Sequence, residues 1–144
     1  MTSTNSGNDL PGPLAGVRVL ELTGEHAQFC GKLMADLGAD VIKIEPPGGQ
    51  ETRNVGPYLN DKEHPERSLY FWHYNTSKRG VTLDITLPEG QEVFKKLAAT
   101  ATLILESFPA GYLPSIGLGY EALSENNPGL IMCSVTPFGQ DGPW

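Results

Sequence analysis

The sequence predicts an α/β fold built on a parallel sheet. Three observations lead there. Gly16–Gly49 reads as strand, loop, helix, strand and Pro-Gly turn, which is the order of a βαβ unit. Short apolar runs recur after it at Val81–Ile85, Thr102–Glu106 and Leu130–Val135, with helical spacing between the first two. Glycine and proline fall between these runs rather than inside them. Five strands joined by helical crossovers make an α/β sheet whose strand ends open on one edge, where such proteins bind ligands.

Each element has its own reason. Val17–Leu22 is an apolar run that ends at Thr23-Gly24-Glu25. Ala27–Leu37 places Phe29, Leu33, Met34 and Leu37 at helical spacing, which predicts that these residues face the core. Gly38 stops this helix because it accepts the left-handed C-cap without a Cβ clash. Val41–Glu45 is the second strand, ended by Pro46-Pro47-Gly48-Gly49. Gln50–Arg67 is polar and long for a loop in a compact domain, a setting that is often functional. The aromatic stretch Ser68–Tyr74 suits a short helix or an extended segment, with the helix favoured. Asn75–Gly80 is a basic turn before the third strand, Val81–Ile85, which alternates apolar and polar residues.

Pro88 and Glu89 mark a helix start, because proline loses no hydrogen bond there and a carboxylate suits the positive end of the dipole. That helix, Glu89–Ala99, presents Val93, Phe94 and Leu97 on one face. Thr102–Glu106 is a near-continuous apolar run, as a strand buried on both faces should be. Gly111–Ile116 and Tyr120–Asn126 suit short helices before the last strand, Leu130–Val135. Residues 1–12 read as a disordered lead-in and 13–144 as the folded part.

Composition narrows the function classes. With 39% hydrophobic and 19% charged residues, the 144-residue chain has the balance of a soluble globular domain. A formal net charge of −7 argues against a nucleic-acid partner, which needs a basic surface. No apolar run approaches the roughly 20 residues of a membrane span, and Met1–Asp9 lacks the apolar core of a signal peptide. A cytoplasmic location with no membrane partner is the expectation. Cys30 and Cys133 form no metal-like pair, and the three histidines have no ligand spacing, so no metal site is expected.

The first loop, Thr23-Gly24-Glu25-His26-Ala27-Gln28, carries neither the dinucleotide glycine fingerprint nor a P-loop. It could hold a phosphate-bearing ligand through backbone N–H groups at the helix start, or Glu25 and His26 could simply cap the helix. Lys78-Arg79 could hold an anionic group or form a solvated turn. Glu45, Asp84 and Glu106 all stand at strand ends, where carboxylates can accept from ribose hydroxyls or serve the edge alone. Local chemistry alone yields a domain for a small, phosphorylated ligand.

A series of ordered blocks goes further. Pro13–Thr23 is followed by Ala35–Gly49, then Asn75–Asp84 and Pro88-Glu89-Gly90. Leu105–Gly111, Gly117–Leu123, Asn127-Pro128 and Ser134–Pro143 complete the series. In this order and spacing the chain resembles the N-terminal part of a family III CoA-transferase, the group that includes formyl-CoA transferase and α-methylacyl-CoA racemase. The resemblance implies a Rossmann-like, mostly parallel sheet with helices on both faces, incomplete relative to the full family fold. It implies transfer of CoA between acyl-CoA thioesters and carboxylic acids, through an aspartate that becomes a mixed anhydride and then a CoA thioester. A racemase-type member and a non-catalytic CoA-binding fragment are the alternatives.

The resemblance also assigns contacts. CoA would meet Ala27 and Gln28 in the first loop, Pro46 after the second strand, and Leu83, Asp84, Ile85 and Thr86 at the third. The adenine would meet Ser107, Phe108 and Pro109. Two cationic positions that bind phosphate in some members are Pro46 and Ser115 here, which leaves Lys78 and Arg79 as candidates for that grip. CoA and its acyl esters enter as substrates, with a carboxylate as the second substrate and no covalently bound cofactor. The family's nucleophilic aspartate stands in a Gly-Asp pair, and no such pair occurs here, so no catalytic residue is assigned. Members are two to three times longer and form interlocked homodimers. The resemblance therefore implies a fragment, or a chain that needs a C-terminal partner.

Overall fold

A computed structural model describes residues 11–142. Most of the expected lead-in lies outside these residues. Gly12, at its end, packs against the carbonyl of Leu37, where a side chain would have no room. The strands are β1 (Arg18–Leu22), β2 (Asp40–Glu45), β3 (Arg79–Thr82), β4 (Leu103–Glu106) and β5 (Ile131–Ser134). The helices are α1 (Gln28–Asp36), α2 (Leu69–Asn75), α3 (Pro88–Ala98), α4 (Tyr112–Ser115) and α5 (Tyr120–Ser124). All four strand pairings are parallel, in the order β3-β2-β1-β4-β5. The chain winds outward from β1 to β3, then returns to the other side of β1. The gap beyond the ends of β1 and β4 is therefore a topological switch point, the ligand crevice of open α/β sheets.

Register fixes what each face buries. Leu20 lies beside Ile42 and Ile104, and all three point to one side with Leu22 and Ile44. Phe94 and Ala98 of α3, Leu113 of α4 and Leu123 of α5 close over them. Phe94 is fully buried, whereas Val93 on the same helix faces solvent. Each fully buried Leu or Phe contributes roughly 1.5–3 kcal/mol. The other side carries Val19, Val41 and Leu105 with Ala27, Ala35 and Ala39, a smaller apolar core under α1.

The helical pattern of α1 misleads. Phe29, Leu33 and Leu37 were expected in the core but are each about half exposed (48%, 47% and 47%). The buried face is Gln28, Gly31 and Ala35. Gly31 explains the rotation: a Cβ there would overlap Glu21 Oε2. The helix is thus drawn against a buried carboxylate rather than an apolar floor. At its end Gly38, at φ +98, donates its N–H to Ala35 O as a left-handed stop requires.

Two other boundaries differ. Gln50–Arg67 folds into three short 3₁₀ turns, Glu51–Asn54, Leu59–Asp61 and Pro65–Arg67. Strand β3 begins and ends earlier than the alternation of Val81–Ile85 predicts, and all four of its residues are exposed, because it is an edge strand. Its early end places Leu83–Thr86 in the connection above the sheet. Gly90 packs so tightly on the carbonyl of Asp84 that no side chain would fit. Ser68 accepts from the Phe71 N–H and caps α2, which settles the aromatic stretch as helix.

Candidate functional site

The strand ends converge on one cavity of about 730 Å³. Leu22, Gly24, Glu25 and His26 come from the end of β1 and the first loop, Ile44 and Pro46 from β2. Leu83, Asp84, Ile85 and Thr86 follow β3, and Ser107, Phe108 and Pro109 follow β4. Gly49, Gln50, Glu51, Asn54 and Tyr112 complete the wall. Its size lies in the range of small-molecule sites. The wall is apolar at the sheet and on the Phe108–Tyr112 side, where the two rings stand 4.8 Å apart.

Internal hydrogen bonds shape this wall. Glu106 Oε2 accepts from the Phe108 N–H at 2.7 Å, which turns the chain at the end of β4. Ser107 Oγ accepts from the Gly24 N–H at 3.0 Å and ties that turn to the first loop. Asp84 Oδ1 accepts from both the N–H and the hydroxyl of Thr86. Glu45 lies behind the cavity, held by Arg53 through Nε at 2.6 Å and Nη2 at 2.8 Å, and accepts also from the Gln50 N–H. Burial opposes its charge, but Arg53 and that N–H hold its carboxyl below the ordinary value. The Arg53 guanidinium also stacks 3.9 Å from the centre of Phe71, so the long loop is anchored on β2 and α2 together. Glu45 and Glu106, read above as possible ribose acceptors, thus organise the loops.

Of the site residues expected from sequence, Pro46, Leu83, Asp84, Ile85, Thr86, Ser107, Phe108 and Pro109 line this one cavity. Ala27 and Gln28 do not: both are buried behind it, at the start of α1. Glu25 and His26, two residues earlier, reach it instead, and neither caps the helix. Lys78 and Arg79, the candidates for a phosphate grip, are not on the cavity wall. The Lys78 side chain is 1% exposed, and its ammonium is taken up by Glu21, the Gln28 carbonyl and Asn75. Arg79 opens β3 at the opposite edge of the sheet, where it pairs with Asp40 at the start of β2. The cavity wall holds the carboxylates of Glu25, Glu51 and Asp84 and no lysine or arginine among the described residues.

Sequence reasoning missed Gln50, Glu51, Asn54 and Arg53. The length of their loop was the available signal; which of its residues return to the cavity depends on Glu45 catching Arg53. Among the described residues no group of three or more His, Cys, Asp and Glu could hold a metal ion, and no helix is long and apolar enough to cross a membrane.

Known proteins resemble this chain in sequence and fold. A 44% identical relative is the succinyl-CoA:(R)-benzylsuccinate CoA-transferase subunit BbsE of Thauera aromatica, matched over 88% of this chain and 31% of its own. The succinyl-CoA–D-citramalate CoA-transferase of Chloroflexus aurantiacus is 45% identical over 93% of this chain and 33% of its own. A crystal structure of a CaiB/BaiF family protein from Brucella suis superposes with a TM-score of 0.83 at 40% identity, covering 93% of this chain and 36% of that one. The chain therefore spans about a third of the length of the relatives it matches. The sequence model of CoA-transferase family III matches residues 14–144. The chain belongs to CoA-transferase family III.

Proposed function

We propose that residues 13–144 form the N-terminal part of the CoA-binding domain of an enzyme that moves CoA between an acyl-CoA thioester and a carboxylic acid. The observation that carries this reading is the convergence of eight residues, assigned to CoA by family resemblance, on a single cavity at the switch point of the sheet. The adenine would lie against Phe108 and Tyr112. The carboxylates around the wall suit hydroxyl and amide donors of the ligand. The reaction would run through an aspartate outside this sequence. Its carboxylate attacks the thioester carbonyl and releases CoA thiolate, leaving an acyl–aspartyl anhydride. The thiolate then attacks the aspartyl carbonyl, which frees the first acid and leaves an aspartyl-CoA thioester. The second acid repeats the two steps in reverse. By the family resemblance, backbone amides near the first loop would hold the thioester oxygen.

Succinyl-CoA occurs in the names of both relatives above, so it is the donor to try first. Calorimetric titration of the chain with CoA, and with NAD as the competing nucleotide, tests the binding half. Saturable binding of CoA between about 1 μM and 1 mM, equivalent to roughly −8 to −4 kcal/mol, with none of NAD, is expected. Binding of NAD in preference to CoA would contradict the reading. Mixing the chain with candidate C-terminal pieces and assaying transfer from succinyl-CoA tests the catalytic half.

A further inference from the structure

Beneath the first loop lies a charge cluster that the proposed chemistry does not use. Glu21 of β1 is fully buried and stands between two buried ammonium groups. Lys43 of β2 reaches Glu21 Oε1 at 2.9 Å, and Lys78 reaches Oε2 at 2.7 Å. One lysine would neutralise the carboxylate. The second is surplus to charge balance, and burying an ammonium is costly unless its donors are matched.

Where the remaining donors go is informative. Lys43 Nζ donates to the carbonyl of Thr23 at 2.9 Å. Lys78 Nζ donates to the carbonyl of Gln28 at 2.8 Å and to Asn75 Oδ1 at 2.9 Å. With Glu21 these acceptors match all three donors of the Lys78 ammonium. Thr23 and Gln28 are the two ends of the first loop, and Gly24, Glu25 and His26 between them line the cavity. Thr23 Oγ1 donates back to Glu21 Oε1 at 2.9 Å, and Gly31 lets α1 close on the cluster.

We infer that Glu21, Lys43 and Lys78 form a two-point clamp, with Lys43 holding the entry of the first loop and Lys78 its exit, and that both lysines are positioning residues for the ligand in the crevice. The ligand part of this inference rests on the crevice being a CoA site; the clamp itself does not.

The test is a pair of variants, Lys43→Met and Lys78→Met. Each leaves Glu21 paired with the other ammonium, so the carboxylate is not orphaned in either. In Lys78→Met the carbonyl ¹³C shift of Gln28 moves and that of Thr23 stays; in Lys43→Met the pattern is reversed. Amide exchange across 24–28 quickens about tenfold in both variants, while that of Leu20 and Ile104 in the sheet changes by less than about twofold. CoA affinity falls about tenfold in both. If Lys78→Met does not fold, Asn75→Ala removes one acceptor and is expected to give the same loop signature, about threefold in exchange.

Unchanged loop exchange and carbonyl shifts in the variants would overturn the clamp. A loosened loop with unchanged CoA affinity would overturn the positioning role. If the unmodified chain binds no CoA, the CoA reading has failed, and the shifts and exchange rates still decide whether the clamp exists.

Discussion

On the α3 side of the sheet, the centre is filled by Leu20, Ile42, Ile104 and Phe94. On the α1 side the matching place, one residue further along β1 and β2, is filled by Glu21 and Lys43, paired in register. The first side is an ordinary apolar interior that stabilises by area. The second sacrifices area for three charges and a network of directed hydrogen bonds, and the helix above it turns its apolar stripe outward. The two sides therefore should answer differently to the same kind of substitution. The apolar side should tolerate changes of shape, and the polar side should tolerate almost no change of charge.

The largest contrast is Glu21→Gln. It conserves volume but leaves two buried ammonium groups without an anion, so a loss of about 3–5 kcal/mol in urea unfolding is expected. Next is Arg53→Met, which frees Glu45 and removes the stack on Phe71. A loss of about 2 kcal/mol is expected at neutral pH, read the same way. The carboxyl of Glu45 lies below its ordinary 4.5 in the folded chain. Its contribution is therefore present above that value and is lost as pH falls through the folded value. The stability gap between wild type and Arg53→Met should narrow on acidification below about pH 4.5. Phe94→Leu on the apolar side should cost only about 1.5 kcal/mol, since leucine stays apolar and the surrounding side chains can close part of the space the ring leaves.

A pH series sharpens the polar side further. Burial pushes the Lys78 ammonium down to about 8 from 10.5, against the pull of Glu21 and with the repulsion of Lys43; Cys30 is the other titratable group facing it. Between those two values the unfolded chain holds a proton that the folded chain has lost. Stability from this group therefore rises with pH across that window. The stability of wild type relative to Lys78→Met should grow as pH is raised from about 8 to about 10, measured by urea unfolding at each pH. The smallest effect belongs to Leu33→Ser in the outward stripe of α1, expected within about 0.5 kcal/mol. A cost several times larger would mean that the stripe is covered in solution.

This contrast also explains what could be read in the sequence. The apolar runs of β1, β2, β4 and β5, the proline at the start of α3 and the glycine stop of α1 follow from local physics, and they appear where expected, whereas edge strand β3 is shifted by two to three residues. Pro46, Leu83–Thr86 and Ser107–Pro109 were named by family resemblance; local physics alone reached the crevice through the first loop and through Asp84, read as a strand-end carboxylate. The orientation of α1 was not legible. Its apolar spacing is genuine, but a glycine at 31 and a glutamate ten residues earlier decide the packing, and no periodicity couples those two positions. Lys78 misled for a related reason. A lysine in a polar turn reads as solvated, and only the third dimension places Glu21, the Gln28 carbonyl and Asn75 around it. Arg53 was hidden because its partner, Glu45, belongs to a strand that precedes a long loop.

The central claim, that CoA lies in the crevice at the switch point, is tested most directly by mapping amide chemical-shift changes during titration of the chain with CoA. The account predicts saturable changes clustered at Gly24–His26, Leu83–Thr86 and Ser107–Phe108, with Arg79 and Asp40 at the opposite edge unmoved. Changes centred on Arg79 and Asp40, or no change up to about 1 mM CoA, would contradict it.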